Sequence, residues 1–218
     1  MNVYPKSDSE SQNFMILPAP SNFSADEALN RLLEGNKRFA ANKAIGPNRS
    51  ESRRLEIVNK QKPFAIILGC VDSRVPPELI FDQGLGDLFV IRSAGQVIDD
   101  AIWGSIEFGV AELGAPLIMV LGHTRCGAVT ATIEMLEKKL PVEGAIGKLV
   151  ENIKPAIEQI IGHGEPFIDQ TARKNVTLEI DRLKASPILS DAINKGNTKI
   201  VGAFYDLRTG VVEIMDSI

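Results

Sequence analysis

Two stretches of the chain end on side chains able to bind a metal. The first is Phe64-Ala-Ile-Ile-Leu-Gly-Cys70-Val-Asp72-Ser73-Arg74, and the second is Leu117-Ile-Met-Val-Leu-Gly122-His123-Thr-Arg-Cys126-Gly127. Both cysteines of the chain lie here, with one of its two histidines. Thiolate sulfur and imidazole nitrogen are the donors that zinc prefers, in a tetrahedron. His123 and Cys126 can reach one ion where the chain turns from a strand into a helix. Cys70 can join them if the two strands are neighbours in a parallel sheet. We read Cys70, His123 and Cys126 as ligands of one zinc ion per chain. Three protein ligands leave a fourth position open, the pattern of a catalytic site rather than a structural one.

Asp72 and Arg74, two residues apart, sit on the same side if the segment is extended. An ion pair between them would lower the carboxylate's proton affinity and fix its orientation. Asp72 is also only two residues from Cys70, so its carboxylate can itself act as a fourth metal ligand and close the site. Two thiolates and a neutral imidazole cancel the charge of a zinc ion and leave it a weaker Lewis acid. An oxygen activated there needs a hydrogen bond to Asp72.

The elements that must position these groups follow from pattern. Residues 1–22 are polar and carry Pro5, Pro18 and Pro20, which reads as a tail or an arm packed on a partner subunit. Ser24 with Glu27 forms a capping box ahead of Leu29, Leu32, Leu33 and Phe39, predicting a helix over about 25–42. A second helix is expected from Ser50. Phe64–Leu68, Leu88–Arg92 and Leu117–Leu121 are short apolar runs that predict strands. Between them, Pro76 and Pro77 suit the first turn of a helix. Ile102, Ile106, Val110 and Leu113 share one face of another, over 99–113. A helix over 128–140 follows, then two or three more across 143–196, with breaks at Gly162-His-Gly164, Pro166 and Pro187. Lys199–Tyr205 and Val211–Met215 are strands flanking a turn at 208–210. Alternating strands and helices ending in a hairpin imply an α/β fold. It has a mainly parallel central sheet, an antiparallel edge strand and an N-terminal helical arm. With no linker or repeat, 23–218 is read as one domain.

Composition narrows the function. A net charge of −4 argues against nucleic acid as a partner, since that binding rests on clustered Lys and Arg. No apolar run approaches the roughly 18 residues that span a bilayer, so no membrane segment is expected. The first residues hold no apolar signal run, which favours the cytoplasm unless a leader was removed. Two cysteines cannot form a disulfide scaffold. Gly84-Leu-Gly86 is half of a dinucleotide fingerprint and lacks the rest. His163, between two glycines, reads as a solvated loop residue.

Cys70-Val71-Asp72-Ser73-Arg74 with His123-Thr-Arg-Cys126 resembles the two-part signature of the β-class carbonic anhydrases. The resemblance extends through Phe81–Arg92 and Gly202–Gly210, so it covers most of the chain from about residue 25. It implies zinc on Cys70, His123 and Cys126, and a catalytic pair of Asp72 and Arg74. The reaction implied is the reversible hydration of carbon dioxide to bicarbonate and a proton by zinc-bound hydroxide. It also implies a homodimer or a dimer of dimers, with sites near the subunit interface. A glutamine contributed across that interface helps to bind substrate in part of the family, and Gln83 is the candidate here. Arg92-Ser-Ala-Gly-Gln96 departs from the Arg-Asn-x-Ala-Asn run of many members. Hydrolysis of carbonyl sulfide or carbon disulfide on the same fold is the alternative enzymatic reading. A zinc-held interaction protein without turnover is the alternative outside enzymes.

Overall fold

The computed structural model describes residues 23–217, apart from 142 and 161. The expected tail at 1–22 lies outside the described residues. Among the described residues, five strands form one sheet in the order β2-β1-β3-β4-β5. They are β1 (Ala65–Cys70), β2 (Leu88–Ser93), β3 (Leu117–His123), β4 (Lys199–Tyr205) and β5 (Val212–Ser217). All neighbours pair parallel except β4 with β5, the antiparallel edge. This is the mainly parallel sheet that the pattern implied.

Every residue of β1 and β3 is buried, as continuous apolar strands covered on both faces must be. Alternate side chains divide between two cores. Ile67, Met119 and Val201 face one, with Leu32, Phe81 and Val129 from the helices. Ile66, Ile118 and Ile200 face the other, with Ile106, Ile180 and Leu189.

Helix α1 (Ala25–Ala40) starts on the expected capping box: Glu27 N–H donates to Ser24 Oγ at 3.2 Å, and Ser24 N–H to the Glu27 carboxylate at 2.7 Å. It lies tightly on the short α3 (Pro77–Ile80). A Cβ at Gly35 would stand 1.8 Å from the Phe81 carbonyl oxygen, so only glycine fits. Beside it, Asn36 is buried and fully used. Its Nδ2 donates to Ile80 O and Gly210 O, and its Oδ1 accepts from Val212 N–H. The helix from Ser50 is α2 (Glu51–Glu56), six residues capped by Ser50. α4 (Asp100–Ala111) is capped by Asp99, and α5 (Gly127–Glu137) follows β3.

Three helices span the long C-terminal stretch: α6 (Ile146–Glu158), α7 (Gly164–Lys184) and α8 (Pro187–Asn194). One expectation there fails. Pro166 does not break the chain but lies within the first turn of α7, where a missing N–H costs nothing. The strand ends also run further than the apolar pattern suggested. β1 extends to Cys70 and β3 to His123, so the reactive side chains are the last residues of the strands. No helix among the described residues is long and apolar enough to cross a membrane.

Candidate metal centre

β1 and β3 are adjacent and parallel, with Gly69 opposite Leu121. Cys70 and His123 therefore emerge side by side at the carboxyl edge of the sheet, the edge where open α/β sheets bind ligands. Beyond His123 the chain turns sharply. Thr124 is pinned to the end of β4, its N–H donating to Tyr205 O and its Oγ1 accepting from Leu207 N–H. Arg125 takes a left-handed conformation (φ 53°), and its N–H donates to the Asp169 carboxylate on α7. This turn brings Cys126 to the N-cap of α5. One ligand-capable atom each of Cys70, His123 and Cys126 then lie within 4.8 Å of one another, all buried.

The donor set fits a metal cation. His123 Nδ1 is 2.9 Å from the Thr124 carbonyl oxygen, which can only accept, so Nδ1 carries the proton. That tautomer leaves Nε2 with a free lone pair, and Nε2 is buried without a protein partner. A buried acceptor left alone is costly unless something coordinates it. The two thiols interact strongly. A hydrogen bond from Cys126 pulls the Cys70 thiol well below its ordinary range, and the same bond, with burial, pushes Cys126 up. Two bare thiolates so close would repel. A divalent cation removes that repulsion and takes both as thiolates.

Asp72 stands at the rim. Its carboxylate is forked by Arg74, with Nε to Oδ1 at 2.9 Å and an Nη to Oδ2 at 2.6 Å. Arg74 N–H also donates to Oδ1 at 2.9 Å. The segment is a turn rather than the extended run expected, and it is the turn that lets backbone and side chain grip one carboxylate. The Arg74 hydrogen bonds hold the Asp72 pKa down to about 2. Asp72 is not a member of the three-residue cluster, and its oxygens are engaged by Arg74 instead.

Arg92, read from sequence only as the end of a strand, proves to be part of the site. Its guanidinium donates to Cys70 O at 2.7 Å and to Asp72 O at 2.6 Å, fixing the turn that carries both. Gly95 N–H, in the 3₁₀ turn Ala94–Gln96, donates to Cys70 Sγ at 3.3 Å. A cavity of about 350 Å³ opens beside Cys70 and Asp72, walled mainly by apolar side chains of α5 and α6 such as Ala131, Met135, Leu149 and Val150.

Gln83 is not brought to this cluster. It is buried, its Nε2 donating to Phe81 O and its Oε1 accepting from Arg31. Arg31 also binds Asp87, whose carbonyl accepts from Phe64 N–H at the start of β1. Gln83 thus lies toward the amino end of the strand that carries Cys70 at its carboxyl end, about 3.3 Å per residue away along β1. His163 is the exposed N-cap residue of α7 and no part of the cluster.

Comparison with known proteins agrees with this geometry. The family model described as carbonic anhydrase matches residues 65–212. Carbonic anhydrase 2 of Mycobacterium tuberculosis is 42% identical over 188 residues, covering 86% of this chain and 91% of the relative. A Coccomyxa β-carbonic anhydrase solved with acetazolamide superposes with a TM-score of 0.70 at 26% identity, covering 87% of each chain. A tetrameric β-carbonic anhydrase of Sordaria macrospora shares the fold, with a TM-score of 0.69 at 22% identity over 87% of this chain and 98% of that one.

Proposed function

Because this chain belongs to the β-carbonic anhydrase family of enzymes, we propose that it catalyses the reversible hydration of carbon dioxide at the Cys70–His123–Cys126 centre. The observation that carries this reading is the orphaned His123 Nε2 beside two buried thiols, one of which, Cys70, lines an apolar cavity. Zinc is the metal we infer, since two thiolates and a neutral imidazole match its preferences. Bound there, it supplies Lewis acidity that makes hydroxide available from water near neutral pH, an effect for which three-histidine carbonic anhydrases are the usual illustration.

The chain's own residues do the rest. Asp72, ionised at any working pH, accepts a hydrogen bond from the proton on the attacking oxygen and so aims a lone pair at the carbon. Arg74 holds that acceptor in one orientation. Arg92 keeps the Cys70–Asp72 turn from shifting. The apolar wall suits an uncharged, apolar substrate and solvates bicarbonate poorly, which favours product release. Carbonyl sulfide and carbon disulfide are similar enough in shape to use the same wall, and parallel assays with carbon dioxide separate the readings.

We further infer a homodimer or dimer of dimers. Val71 and Ile146, both more than half exposed, leave apolar surface beside the site, and the Sordaria relative is described as tetrameric. Light scattering tests this directly. The ligand assignment is tested by metal analysis of Cys70→Ser and Cys126→Ser proteins. A hydroxyl is a poor substitute for thiolate, so zinc content should fall from about one per chain to a small fraction. Full occupancy in either variant would defeat the assignment.

A further inference from the structure

Helix α7 carries a stripe that its sequence does not explain. Thr171, Asn175 and Glu179 repeat at four-residue spacing and are all fully buried. Burying polar groups in a helix face is costly unless each is satisfied, and an apolar stripe of the same shape would be no less stable. Here satisfaction is incomplete. Among the described residues, four buried side-chain atoms have no hydrogen-bond partner: Thr171 Oγ1, Asn175 Oδ1, Gln96 Oε1 and His123 Nε2. The first two belong to this stripe, and Gln96 to the 3₁₀ turn that α7 packs against. Stability alone does not account for the stripe.

The stripe meets the loop that follows β2. Asn175 Nδ2 donates to Gly95 O at 2.8 Å, a buried bond. One turn further along, the Glu179 carboxylate accepts from Arg182 Nη1 at 3.2 Å. At the Asn175 anchor the backbone is unusual. Gly95 (φ 65°) and Gln96 (φ 48°) are consecutive left-handed residues, and the second has a side chain that makes the conformation unfavourable. Such a conformation persists only where its surroundings hold it. What it achieves is an orientation: Gly95 turns its N–H toward Cys70 Sγ while its carbonyl meets Asn175.

We propose that Asn175 is a positioning residue of the metal centre, holding the Gly95 peptide so that its N–H donates to the Cys70 sulfur. Hydrogen bonding to a thiolate draws charge from it and weakens its donation to the metal. The metal then remains a stronger Lewis acid than a bare pair of thiolates would allow. The inference rests on the proposed metal site and adds a group that tunes it from behind.

The test is Asn175→Leu, which keeps the volume and removes the donor. Cobalt(II) is loaded in place of the native metal, and its sulfur-to-cobalt charge-transfer band is compared with that of the wild type. Metal affinity is measured by chelator competition. The expected result is a charge-transfer band moved to lower energy, because the Cys70 sulfur regains charge, with a metal affinity no lower than that of the wild type. Asn36→Ala serves as a control, since it destabilises the fold at α1 without touching this loop, and it should leave the band unmoved. An Asn175→Leu band identical to wild type would overturn the proposal and reduce the stripe to packing. If that variant does not fold, hydrogen exchange of the wild-type Gly95 amide decides: strong protection supports the clamp, and exchange at the rate of an open loop refutes it. A wild type with no charge-transfer band would instead overturn the metal reading itself, and this proposal with it.

Discussion

Replacing Arg74 by alanine separates orientation from charge at the site. The fork to Asp72 supplies two of the carboxylate's three anchors, and the Arg74 backbone N–H, the third, survives the substitution. The pKa of Asp72 is held at about 2 against an ordinary 3.8. A gap of that size corresponds to about 2.5 kcal/mol at about 1.36 kcal/mol per unit. The Arg74 side chain is 53% exposed, so solvent screening reduces the pair's contribution to about 1 kcal/mol or less. The sign is that of a depressed carboxylate: its stabilisation is present above about pH 3.8 and is lost as pH falls through about 2. None of that window overlaps an assay between about pH 6 and 9, where Asp72 is ionised with or without Arg74. Arg74→Ala therefore cannot act by protonating Asp72. It acts by releasing the carboxylate to rotate, including toward the metal. We expect zinc content and melting temperature close to wild type, with carbon dioxide turnover lower by roughly 10² or more, the scale of a positioned acid–base group. Arg74→Lys should recover only part of this, since a point charge cannot fork a carboxylate. The assay is stopped-flow hydration with an indicator, on samples whose metal content is measured in parallel. Wild-type turnover in a zinc-replete Arg74→Ala protein would refute the role and leave the pair a structural ion bridge.

Asn36→Ala should lower stability by about 2–4 kcal/mol, because it leaves three buried backbone partners unpaired; a loss under about 0.5 kcal/mol in denaturant titration would contradict that. Glu179 has its pKa raised to about 7 by burial, so folding takes up a proton there. Its contribution is full below about pH 4.5 and declines as pH rises through about 7. Glu179→Gln should therefore gain melting temperature relative to wild type between about pH 5 and 8. A constant difference across that range would show that the carboxyl does not titrate as described.

The Cys70–His123–Cys126 cluster was legible because it obeys a general rule: apolar strands of a parallel sheet deliver functional side chains at their carboxyl ends. Cys70 and His123 sit there for that reason, and the shared turn into α5 brings in Cys126. Gly69 and Gly122 interrupt the apolar pattern, yet both lie within paired strands, so the strands run past the apolar runs. Asp72 and Arg74 were legible as a pair but not as a turn, since spacing alone does not distinguish the two. Arg92 ended a strand in sequence, and only the fold shows its guanidinium reaching back to two carbonyls. Asn175 and Glu179 gave no signal at all. Polar residues at helical spacing describe a solvated face, and nothing local reveals that a loop 80 residues earlier lies on top of it. Gln83, expected to act across a subunit interface, lies within its own chain toward the amino end of β1, bonded to Arg31 and Phe81.

The proposed function requires a zinc ion on Cys70, His123 and Cys126. One experiment addresses it most directly: the initial hydration rate from about pH 6 to 9, at saturating carbon dioxide and excess buffer, on protein with its zinc content measured. About one zinc per chain is expected, with a rate that climbs with pH to a midpoint somewhat above neutrality, since two thiolates keep the metal a modest Lewis acid. A zinc-replete protein with a flat rate across that range, or full activity in protein stripped of metal, would contradict it.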